Sequence, residues 1–353
     1  MMKKGVFFIF CILAVLNFSC QKSEKTGKTG AILVPAIDGA WWDITGNPME
    51  HAYATARQEP VDFAVWQAAD GTWQMWSCFR KTTAGGEKGL TRFFYRWEGR
   101  HPTDTQWKPM GIAMEADPAL GETPGGLQAP HVIKAGDTWH MFYGDWVSIC
   151  HAVSKDGKNF ERVVHANGKT GMFSEGPEAN TRDIMLLEHQ GLWYAYYTGR
   201  SEGSFGVPGL TGKIWLRTTR DFENWSDSEI VSFGGQAGTG NGSSECPFVV
   251  KMGEDDFYLF KTQTYGMYDR EKDDIRNRGI PKTSVYHSKN PRVFGIDQDD
   301  EYFIGQLPVA APEIILYEGQ HYIIALKQGS LEGMRCAKLK WVEKESRGAS
   351  TNE

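Results

Sequence analysis

An all-β chain folded as a five-bladed β-propeller is what this sequence predicts, and three observations predict it. One strand–turn–strand pattern recurs five times along the 353 residues. No window sustains the i, i+3, i+4, i+7 spacing of an amphipathic helix. Glycine (40) and proline (15) are spaced as turns between short apolar runs. Each repeat has a polar opening, an apolar run, a turn with Gly or Asp, and an aromatic-rich run. Taking Ala64, Pro130, Ile184, Pro247 and Pro312 as equivalent positions gives intervals of 66, 54, 63 and 65 residues. That is the length of one four-stranded sheet with its loops. Two packed sheets would not explain such regular spacing, whereas radial repetition leaves only short edges.

The first element is an export signal. In "MMKKGVFFIFCILAVLNFSC", Lys3 and Lys4 form a positive end, Val6 to Leu16 a short apolar stretch, and small Ser19 precedes Cys20. Ending on cysteine resembles a bacterial lipoprotein signal, which implies a lipid on Cys20 and a place in the cell envelope, periplasmic or at the surface. The organisation expected is a signal over 1–20, a flexible tether over 21–32, the propeller over 33–345 and a disordered tail over 346–353.

The five hairpins come next, in order. They are "VDFAVWQAADGTWQMWSCFR" (61–80), "QAPHVIKAGDTWHMFYGDW" (128–146), "TRDIMLLEHQGLWYAYYTGR" (181–200), "SECPFVVKMGEDDFYLFKTQ" (244–263) and "AAPEIILYEGQHYIIALKQG" (310–329). Between them, "ICHAVSKDGKNF", "KIWLRTTRDFENW" and "TSVYHSKNPRVFG" read as outer strands with charged turns, and "MRCAKLKWV" completes the last sheet. The stretch "YDREKDDIRNRG" (268–279) reads as a solvated insertion. Outside the signal, Cys78, Cys150, Cys246 and Cys336 are far apart with no zinc spacing, which predicts buried free thiols, with a disulfide as the alternative in an oxidising compartment.

In a propeller the first strand of each blade lines the central channel. The openings of all five hairpins therefore converge on one mouth. They carry Asp62, Gln128, Arg182 with Asp183, Glu245 and Ala310. Acids favour turns, so any one of them alone means little. Three acids at one mouth are the equipment of glycosidic bond cleavage. Aromatic residues make up 13% of the chain, with 13 Trp. They serve wide β packing, and they also offer stacking faces for sugar rings. Trp41, Trp42, Trp66 and Trp146 are the candidates for the second role. A net charge of −6 without a basic stripe argues against nucleic acid as a partner.

The motifs also resemble those of the five-bladed propeller glycoside hydrolases of families 43 and 32. "SECP" is similar to the "ECP" of family 32, and "TRDI" to its "RDP". "QAPHV" resembles the "APxV" of blade two in family 43. The resemblance covers about residues 40–340. It implies Glu245 as the general acid, Asp183 as the carboxylate that stabilises the transition state, and Asp62 as the opposing base or nucleophile; by its charge Asp183 also raises the pKa of the acid and orients it. Blade one lacks the families' "DP", so Asp43 in "AWWDITGNP" competes with Asp62. Arg182 is read either as a sugar ligand or as a carboxylate partner. Glu175 in "SEGP" copies an acid motif by letters but lies upstream of its strand, and reads as a loop residue. Arg80 and Arg200 end their hairpins at matching positions and read as structural. No cofactor is expected. Some relatives hold a cation in the central channel, but no ligand set for one is legible.

The function expected is an exported glycosidase, exo-acting on plant or algal oligosaccharides. The alternative is a glycan-binding lipoprotein of the same fold that lacks the chemistry. Family 43 inverts and family 32 retains; the missing nucleophile motif favours inversion here.

Overall fold

The computed structural model describes residues 31–202, 209–235, 244–263, 282–327 and 332–344. The expected signal with Cys20, most of the tether, the insertion at 268–279 and the tail at 346–353 lie outside the described residues.

The chain opens with β1 (Leu33–Asp43). Blade one comes after it as β2 (Glu59–Gln67), β3 (Trp73–Arg80), β4 (Phe93–Gly99) and β5 (Lys108–Met114). Blade two is β6 (Gln128–Ala135), β7 (Thr138–Gly144) and β8 (Ile149–Ser154), with the short strands β9 (Glu161–Arg162) and β10 (Gly171–Phe173) both paired to β8. Blade three is β11 (Arg182–His189), β12 (Leu192–Glu202), β13 (Leu210–Thr219) and β14 (Glu229–Ser232). Blade four is β15 (Glu245–Met252), β16 (Asp256–Gln263), β17 (Lys282–Ser288) and β18 (Phe303–Leu307). Blade five is β19 (Glu313–Tyr317), β20 (Gln320–Leu326) and β21 (Met334–Glu343), with β1 as its outermost strand. All five predicted hairpins form the inner two strands of a blade.

Apolar clusters fill the gaps between blades. One cluster, with Trp76, Trp97 and Phe79, joins blade one to blades two and five. Phe142 and Ile149 meet Ile184 and Leu186 between blades two and three. Tyr196 and Ile214 meet Val249 and Leu259 between blades three and four. Phe260 and Val285 meet Ile314 and Ile323 between blades four and five. Each blade is apolar on both faces because each face meets a neighbour, so most inner strands read as nearly continuous apolar runs.

Every inner strand carries the same irregularity near its start. Asp62 (φ 38°), Ala129 (41°), Asp183 (55°), Cys246 (48°) and Ala311 (45°) are all left-handed. In blades one to four this residue lies where the pairing register shifts: between Val61 and Phe63, Gln128 and His131, Arg182 and Met185, and Glu245 and Phe248. This corner corrects the sequence alignment. The equivalent of Pro130, Ile184, Pro247 and Pro312 is Phe63, not Ala64, which makes the first interval 67 residues. Asp62 and Asp183 occupy the left-handed position itself, and Glu245 stands one residue before it. The three acids are therefore not in one register.

Candidate active site

The two inner strands of a blade run in opposite directions, so the start of the first and the end of the second meet at one rim. Glu59 pairs with Arg80, Arg182 with Thr198 and Glu245 with Thr262 across this rim. At the ring centre these ends enclose a cavity of about 280 Å³. Asp62, Asp183 and Glu245 line it together, from blades one, three and four. Gln128 and Arg182 line it too, as the sequence predicts, and Trp146 forms part of the wall.

Asp183 is the best-fixed of the acids, its side chain 3% exposed. Its Oδ2 accepts the backbone N–H of Cys246 at 3.1 Å and lies 3.4 Å from Arg182 Nε. Blade three thereby holds the corner of blade four on which Glu245 is mounted. The other oxygen, Oδ1, is buried with no partner among the described residues. Arg182 Nη2 donates to Glu245 Oε1, and Nη1 donates to the Asn180 carbonyl at 3.1 Å. Burial works against the Arg182 charge, but Asp183 and Glu245 outweigh it and raise its pKa. One guanidinium thus clasps two carboxylates.

Asp62 joins the cavity from blade one, its Oδ1 3.6 Å from the Cys246 thiol. Burial raises its pKa, and the Asp183 charge raises it further; Arg92, Arg80 and Arg182 oppose the shift. Burial and the same acids push the Cys246 thiol far above its ordinary range, so it is a neutral neighbour and not a thiolate. Gln128 Oε1 and Asn180 Oδ1 are buried at the wall with no partner among the described residues. Orphaned acceptors in a cavity wall suit hydroxyl donors.

Trp146 is held in a left-handed conformation (φ 87°) by a tight turn. Asp145 Oδ1 accepts the N–H of Val147 at 2.9 Å and of Ser148 at 2.6 Å. The Arg92 guanidinium lies 5.1 Å from the Trp146 ring centre.

The other predicted ligands lie elsewhere. Trp41, Trp42 and Asp43 are on β1, the outer strand of blade five. Trp41 packs under Arg335, Trp42 meets Tyr322 edge-on, and Asp43 pairs with Lys327 at 2.8 Å. None of the three lines the cavity, so Asp62 is the acid that blade one brings to it. Trp66 is buried between blades one and two, its Nε1 donating to the Gly157 carbonyl at 2.7 Å. Glu175 is a loop residue, tied to Tyr197, Arg217 and Ser228. All four described cysteines are free.

Sequence reasoning missed three arginines of the wall. Arg80 and Arg200 read as hairpin ends, yet a hairpin's end returns to the same rim as its start. Arg92 precedes the third strand of blade one and carries no motif. The channel behind the cavity is walled by Phe63, Pro130, Ile184, Pro247 and Pro312, and the carboxylates of Asp62, Asp183 and Glu313 also line it. Among the described residues no group of three His, Cys, Asp or Glu side chains is placed to hold a metal ion.

No family model and no curated protein matches the sequence. Solved structures do match the fold. A thermostable family-43 glycoside hydrolase is 14% identical with a TM-score of 0.56, over 88% of this chain and 100% of that one. An endo-arabinase from Bacteroides thetaiotaomicron is 11% identical with a TM-score of 0.55, over 87% and 99%. A family-32 β-fructofuranosidase from Bombyx mori is 14% identical with a TM-score of 0.51, over 89% of this chain and 63% of that one. What is shared at these identities is the five-bladed ring.

Proposed function

We propose that the protein is a glycoside hydrolase in which Glu245 protonates the leaving oxygen and Asp62 acts from the opposite face of the sugar. The observation that carries this is the meeting of Asp62, Asp183 and Glu245 in one cavity. The similarity in fold to family-43 and family-32 hydrolases supports it. Cleavage needs a proton donor on one side of the bond and a carboxylate on the other. Asp183 positions Glu245 through the Cys246 N–H and through Arg182. Asp62 activates water, with inversion at the anomeric carbon. The cavity falls just below the ~300–1,000 Å³ common for small-molecule pockets, which supports attack on a terminal sugar; the substrate class proposed is a plant or algal oligosaccharide. Lys3, Lys4, the apolar stretch and Cys20 support export and lipid anchoring at the cell envelope.

Arg182 favours the ionised form of Glu245. A donor role therefore requires Glu245 to hold its proton against that pull. The same ion pair favours a second reading, a glycan-binding protein without hydrolysis. Hydrolysis of aryl glycosides and oligosaccharides, with analysis of the product anomer, separates the two. Glu245→Gln should cost about 10²–10⁴-fold on substrates with poor leaving groups and much less on activated aryl glycosides, which need little protonation. Equal losses on both classes would assign Glu245 to binding.

A further inference from the structure

Four guanidinium groups line the cavity: Arg80, Arg92, Arg182 and Arg200. Asp62, Asp183 and Glu245 line it with them. Arg182 is occupied by Asp183 and Glu245. Arg80 Nε donates to Glu59 Oε2 at 2.7 Å, but Glu59 Oε1 also pairs with Lys81, so that group of three is itself net positive. Arg92 makes no ion pair with a carboxylate among the described residues. Its guanidinium has the Trp146 face at 5.1 Å and the Cys78 sulfur, a weak acceptor, 3.8 Å from Nη1.

Arg92 acts on Asp62 through its charge but has no carboxylate within hydrogen-bond reach among the described residues, and a partly buried guanidinium left so is costly. A neutral sugar offers only hydroxyls, and Gln128, Asn180 and Asp183 already present unpartnered oxygens for those. The planar fork of an arginine matches a carboxylate or a sulfate ester with two parallel hydrogen bonds. Stacking on Trp146 orients that fork before a ligand arrives.

We infer that the cavity takes a sugar ring bearing an anionic substituent, a carboxylate or a sulfate ester, with Arg92 as its recognising group. The inference rests on the hydrolase reading for placing a sugar in the cavity, but its test needs no hydrolysis. The full chain is titrated calorimetrically with D-glucuronate and D-galacturonate, with D-glucose and D-galactose, with D-galactose 6-sulfate, and with sodium sulfate.

At least one acidic or sulfated sugar should bind about tenfold or more tighter than its neutral parent, the scale of a charge-assisted hydrogen bond. Which arm shows the preference identifies carboxylate or sulfate. Arg92→Met should reduce that ratio to near one, and Arg92→Lys, which keeps the charge but not the fork, should retain part of it. The lysine variant carries the test if the methionine variant does not fold. Equal binding of acidic and neutral sugars, or no binding of any acidic or sulfated sugar, overturns the proposal. So does inorganic sulfate binding as tightly as the sulfated sugar, or an unchanged ratio in both variants. If Arg92 served only to keep Asp62 ionised, its loss would move a pH profile and leave the ratio intact. Cleavage of neutral glycosides without preference would leave the hydrolase reading standing and this one refuted. Tight binding of an acidic sugar with no cleavage of any glycoside would do the reverse.

Discussion

At the scale of single residues, Asp62 carries two opposing demands. It must be ionised to act as a base, yet burial and Asp183 both favour its neutral form. The acidic limb of kcat/KM should therefore lie above the ordinary carboxylate range of about 3.9. Asp62→Asn should lower kcat/KM by roughly 10²–10⁴-fold. The same substitution should raise Tm near neutral pH. The folded-state pKa is raised, so protonation of Asp62 favours the fold. That contribution is fully present below the unfolded pKa and is lost as pH rises through the folded one. Asparagine removes the loss, so the gain in Tm should shrink as the pH falls below the unfolded value. Melting curves across pH check this, and a lower Tm at pH 7 would contradict it. Asp183 and Glu245 were legible because "RD" and "ECP" stand at strand starts, whereas Asp62 has no motif and is legible only from its place at the opening of a hairpin. The arginines were not, because Arg80, Arg92 and Arg200 reach the cavity from strand ends and loops that have no motif. Trp41, Trp42 and Trp66 show the converse: a propeller buries so many aromatics between blades that tryptophan alone does not mark a ligand site.

At the scale of elements, the left-handed corner is what makes the first strands of blades one to four irregular. A left-handed L-residue costs about 1–2 kcal/mol, and only Gly, Asn and Asp adopt the conformation routinely. Blades two, four and five nevertheless place Ala129, Cys246 and Ala311 there. Ala311→Gly should therefore be neutral or stabilising by up to about 1 kcal/mol. Ala337→Gly, in the fully buried interior of β21, should destabilise by about 0.5–1 kcal/mol. Denaturant titration of the pair tests the contrast in sign. The corner also explains the alignment error of one residue in blade one. Hairpins are legible from apolar runs and turn residues. A bulge adds one residue without changing composition, and it reverses the faces of every later residue in the strand. Pro130, Pro247 and Pro312 marked the corner in three blades, while Phe63 gave no mark in the first.

At the scale of the whole molecule, the ring is closed by its two ends. β1 pairs with β21 from Leu33–Glu343 to Asp43–Arg335, so the first strand completes the last blade. Leu33, Val34 and Ile37 pack with Trp341 against the cluster of blades four and five. Deleting residues 33–43 should expose the edge of β21, lower Tm markedly and promote aggregation, as light scattering during a melt would show. A Tm within error of the full chain would mean the seam contributes little. The sequence did not reveal this pairing, because partners about 300 residues apart leave no local signature.

The direction of that strand has a further consequence. β1 ends with Asp43 beside Lys327, which comes directly after Leu326 in the cavity wall. Its first residue, Leu33, therefore lies on the opposite face of the disc. A stalk attached through the N-terminal segment would leave from the underside, like the stem of a cup. The open bowl would point away from whatever held the stem, and a long chain diffusing in from above would meet the carboxylates without passing the point of attachment.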